Sequence, residues 1–134
     1  MVVDFFLKKF FSIKIKKNHP ILLSIINLNE KLKSLGIKLI VYSTPINITE
    51  AKQEFNINDQ YLINDKQFEE RLFDNIKIIE EKLYTHNIPF LDLTFKIKDL
   101  KNFYDRDYNI TSEHINYIGR KFVAKELQKF IDIY

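Results

Sequence analysis

Leu35-Gly36-Ile37-Lys38-Leu39-Ile40-Val41-Tyr42-Ser43 is the stretch on which the reading of the fold turns. A glycine closes an apolar helical pattern and is followed at once by a β-branched, nearly continuous apolar run. Glycine after the last helical residue enters the left-handed region without the steric cost a Cβ brings. A run of Ile, Leu and Val with so few polar interruptions reads as a strand covered on both faces, the habit of parallel sheets. Thr44-Pro45-Ile46-Asn47 then leaves the strand, because Pro45 has no N–H to give to a ladder. The spacing predicts a helix, a left-handed stop and a buried strand over residues 37–43.

Working outward, Asn18-His19-Pro20 reads as the start of the preceding helix, with Asn18 or His19 as the cap and Pro20 in the first helical position. Ile21, Leu22, Ile25, Ile26, Leu28, Leu32 and Leu35 recur near one helical face. Downstream, residues 49–55 suit a short helix and residues 56–65 a polar connection. Phe68, Leu72, Ile76, Ile79 and Leu83 step by three or four residues and predict a helix over about 66–85. His86-Asn87 closes it, and residues 88–93 form the second strand, with Pro89 tolerated near its first position. Residues 95–109 read as irregular and charged. His114 or a neighbour then opens a last helix, with Ile115, Ile118, Phe122, Val123, Leu127 and Phe130 on one face.

Helix, strand, helix, strand, helix makes a βαβ unit whose crossover brings the two strands parallel. The expected fold class is α/β, three-layer, a short parallel sheet flanked by helices. Two strands alone leave two open edges, so residues 1–17 either add a strand or the domain is a part of a larger one. The expected organisation is a single domain over residues 1–134, with 1–17 as a packing or membrane-proximal segment. An open sheet edge in so small a unit favours self-association, and a homo-oligomer is expected on that ground.

Composition sets the bounds on function. The chain has 134 residues, 46% hydrophobic and 29% charged, which is ordinary for a folded domain. Only 2 Gly and 3 Pro occur, too few turn-formers for an all-β sandwich. Net charge is +3, but the cations are mostly scattered Lys, and Arg71, Arg106 and Arg120 are far apart. Nucleic-acid surfaces gather their basic side chains, so no nucleic-acid partner is expected. The absence of cysteine removes disulfides, zinc thiolates and cysteine nucleophiles. No His and carboxylate set has metal-ligand spacing, so neither a metal nor another cofactor is expected. Phe5, Phe6, Leu7, Phe10 and Phe11 are interleaved with Lys8, Lys9, Lys14, Lys16 and Lys17. That is too interrupted for a membrane span, though residues 5–17 suit a membrane-surface contact.

Taken in order, these pieces resemble the C-terminal half of the SGNH (GDSL-type) esterase and acyltransferase superfamily. The resemblance runs from about residue 20 to 131. It is carried by Leu35-Gly36-Ile37-Lys38, Thr44-Pro45-Ile46-Asn47, Ile88-Pro89-Phe90-Leu91-Asp92-Leu93 and Glu113-His114-Ile115-Asn116-Tyr117-Ile118-Gly119-Arg120. It is nearest to cell-surface members such as the proteins that assist D-alanylation of lipoteichoic acid. The His-x-Asn-x-x-Gly spacing before an apolar helix is its most specific part. The resemblance implies an SGNH/flavodoxin-like sheet, present in part, and an acyl ester of a surface carbohydrate polymer as ligand. It places the chain in the cell envelope; without it, the cytoplasm is the default.

By the same resemblance His114 matches the family's general base, whose reference pKa near 6.5 suits proton transfer at neutral pH. The family's acid usually precedes that histidine by three residues, where this chain has Thr111. Glu113 is the candidate in its place, with Asp105 and Asp107 as alternatives. A first-turn acid favoured by the helix dipole is the plainer role for Glu113. Asn47 leaves the C-terminal end of a strand, where α/β ligands collect, and is the candidate substrate-binding residue; an Asx turn is its alternative. His19 and His86 flank helix ends and read as solvated, and Asp92 reads as a cap for the segment after it. No Gly-Asp-Ser-like block occurs, and Ser12, Ser24, Ser34 and Ser43 lack its context. Without a nucleophile and oxyanion donors the largest catalytic terms are missing. The expected function is therefore an esterase- or O-acyltransferase-related domain, incomplete or inactive as it stands, or else a non-catalytic α/β binding or scaffolding module.

Overall fold

The computed structural model describes residues 2–5, 15–45, 65–96 and 115–134, with 2–5 and 65–68 as backbone alone. In chain order these form β1 (Val2–Phe5), α1 (Pro20–Ser34), β2 (Ile40–Ser43), α2 (Asp65–Thr85), β3 (Phe90–Asp92) and α3 (Tyr117–Ile131). The chain is thus mixed α/β, with three helices and a short parallel strand pair among the described residues. It divides into two compact units, Met1–Ser43 with Asn64–Phe90, and Thr44–Ile63 with Leu91–Tyr134.

The first unit is built around β2. β1 lies beside it in parallel, with Val2 opposite Ile40 and Phe5 opposite Ser43. Parallel neighbours need a long crossover, and α1 lies within it. The N-terminal segment therefore does supply a strand, from residues 2–5. The strand order is β1-β2-β3, and β3 enters beside β2 where the Val41 N–H donates to the Pro89 carbonyl at 3.0 Å.

α1 begins where the sequence places it. His19 is the N-cap, its Nδ1 accepting from the Ile21 N–H at 3.3 Å, and Pro20 takes the first helical position. Leu22, Ile25, Ile26 and Leu32 are buried along one face. Two expected members of that face turn outward: Ile21 is 38% exposed and Leu35 71%. Leu35 is the C-cap, so the helix has already stopped by that residue and its side chain leaves the stripe. α2 packs against α1 and buries Leu72, Ile76, Ile79 and Leu83. Full burial of such a side chain is worth about 1.5–3 kcal/mol, which makes this stripe the main support of the unit.

Both helices end in the same way. Gly36 has φ 71°, the Ile37 N–H donates to the Leu32 carbonyl at 2.9 Å, and the Gly36 N–H to the Lys33 carbonyl at 3.1 Å. Asn87 has φ 55°, the Ile88 N–H donates to the Leu83 carbonyl at 3.0 Å, and the Asn87 N–H to the Tyr84 carbonyl at 3.0 Å. These are two Schellman motifs, which satisfy carbonyls that a helix end otherwise leaves open. They also correct the strand limits. Residues 37–43 and 88–93 are expected as strands, but pairing begins only at Ile40 and Phe90. The N–H groups of Ile37 and Ile88 are spent on wrapping the helix ends and cannot serve a ladder.

In the second unit α3 starts later than expected. Its N-cap is Asn116, not His114, and the first helical residue is Tyr117. Asn116 Oδ1 accepts from the Gly119 N–H at 3.0 Å, and the Asn116 carbonyl from the Arg120 N–H at 2.9 Å. Asparagine competes well for this position because its short side chain reaches the open N–H at N3. Of the expected apolar face, Val123 is buried, Phe122, Leu127 and Phe130 are half-buried, and Ile118 is 53% exposed.

Candidate functional site

The resemblance points to the C-terminal end of the strands. Ser43 closes β2 there and is fully buried, followed by half-buried Thr44 and buried Pro45. Beyond β3, Asp92 Oδ1 accepts from the Thr94 N–H at 2.9 Å, an Asx turn that gives Asp92 the capping role expected of it. Asn47, Glu113 and His114 lie outside the described residues, as do Asp105, Asp107 and Thr111. What the structure does reach is the last part of the His-x-Asn-x-x-Gly spacing. Asn116 and Gly119 are a helix cap and its N3 partner, so two of the three residues in that pattern have a local structural role.

A second feature was not singled out from the sequence. The ends of α1 and α2 frame a hollow of about 260 Å³, lined by Asn29, Lys33, Ile37, Lys38, Leu39 and His86, together with Gly36 and Asn87 of the two helix stops. It lies within the first unit, at the end where the strands begin. His86 follows the end of α2 and is half-buried on the wall of the hollow. Among the described residues its lining includes Lys33 and Lys38 and no carboxylate.

Its distinguishing residue is Asn29. The buried stripe of each helix in this unit carries one asparagine, Asn29 on α1 and Asn75 on α2. Asn75 is wholly buried, and its Oδ1 accepts from the Ile15 N–H at 2.9 Å, which ties the chain before α1 to α2. Asn29 is 8% exposed, and among the described residues its side chain makes no hydrogen bond. The signal was present in the sequence as a polar residue in phase with Leu22, Ile25, Ile26 and Leu32. Periodicity alone assigns such a residue to a face and says nothing of its partners.

Among the described residues no group of His, Asp or Glu is placed to hold a metal ion, and no helix is long and apolar enough to cross a membrane. No protein-family model matches the chain, and neither a curated protein nor a solved structure matches it.

Proposed function

We propose that this chain is an SGNH-like α/β domain, related to the hydrolysis or transfer of O-acyl esters on surface carbohydrate polymers, and inactive by itself. The observation that carries the reading is topological. Strands that sit side by side in chain order, joined by helical crossovers, are what the last three strands of a doubly wound sheet of order 2-1-3-4-5 present. On this reading His114 is the ancestral general base, Glu113 the carboxylate nearest it, and Asn47 a substrate contact at the strand ends. The serine nucleophile has no counterpart motif in the sequence.

A second reading, a non-catalytic α/β binding or scaffolding module, is favoured by the cap at α3. Asn116 and Gly119 fulfil a structural role that needs no catalytic ancestry.

The position of His114 separates the two. The chain has no cysteine, so a single introduced thiol takes a spin label cleanly. Lys96 is exposed just past the end of β3, and Lys38 just before the start of β2. A label on Lys96→Cys is expected to broaden the His114 imidazole resonances, assigned with His114→Gln, and a label on Lys38→Cys to leave them sharp. Broadening from Lys38→Cys alone, or from neither, overturns the catalytic ancestry.

A further inference from the structure

We draw no further inference here: the strongest candidate, the surface patch on α3 formed by exposed Tyr117, Ile118, Arg120, Lys121, Lys125 and Ile131, carries nothing because nothing in the structure shows what covers it.

Discussion

Gly36 and Asn87 occupy equivalent positions at the ends of two helices, yet they meet the left-handed backbone differently. Gly36 at φ 71° has nothing within 4 Å of where a Cβ would stand, so a side chain there would clash with no neighbour. Any cost of adding one is therefore backbone strain, which runs to about 1–2 kcal/mol for an ordinary residue. Gly36→Ala is expected to lower the unfolding free energy by about 1 kcal/mol in urea denaturation, and Gly36→Asn by less. Asn87→Ala should cost a similar ~1 kcal/mol, since Asn tolerates φ 55° better than Ala does. A neutral Gly36→Ala would mean that the helix end is not held in the left-handed region. Gly36 was legible as a stop because glycine carries that meaning in any context. The equivalence of Asn87 was not, because His86-Asn87 also reads as plain polar loop.

α1 and α2 are amphipathic helices whose stripes agree with their sequence period, and the exceptions are informative. Asn75 interrupts the α2 stripe and anchors Ile15, whose side chain is itself 2% exposed. Removing the acceptor leaves a buried backbone N–H with nothing to bond, a penalty of about 1–3 kcal/mol. Asn75→Ala is therefore expected to destabilise the chain by roughly 3 kcal/mol, counting the space vacated. Amide exchange at Ile15 should speed up more than exchange in the centre of α1. Equal loss of protection throughout would show that Asn75 supports the helix pair generally and does not pin this segment. α3 illustrates the opposite case: its cap, Asn116, meets the Gly119 N–H three residues on, a spacing that is legible in the sequence.

For the molecule taken whole, the expected chemistry is bounded by what the sequence lacks. A histidine without an attacking serine and oxyanion donors offers no more than a free imidazole to an activated ester. Purified chain is expected to hydrolyse p-nitrophenyl acetate no faster than imidazole at the same concentration. Turnover that a serine-directed fluorophosphonate abolishes would contradict this, and the labelled residue would reveal the nucleophile. The candidate residues suggested by family resemblance, Asn47, Glu113 and His114, carry the esterase-related proposal.

The positions of α1, α2 and α3, the stops of α1 and α2 and the break at Pro45 follow from interactions between residues a few places apart: period, caps and the left-handed glycine. They were readable in sequence, to within the three residues that separate His114 from the true start of α3. Strand limits were overestimated because an apolar run does not disclose that its first N–H groups are committed to a helix end. The pairing of residues 2–5 with β2 and the different fates of Asn29 and Asn75 depend on groups distant in the chain. A side chain's period assigns it to the buried face; only the tertiary structure decides whether a partner meets it there, because that partner arrives from another element. Asn75 meets the N–H of Ile15, sixty residues earlier in the chain, and Asn29 meets a hollow.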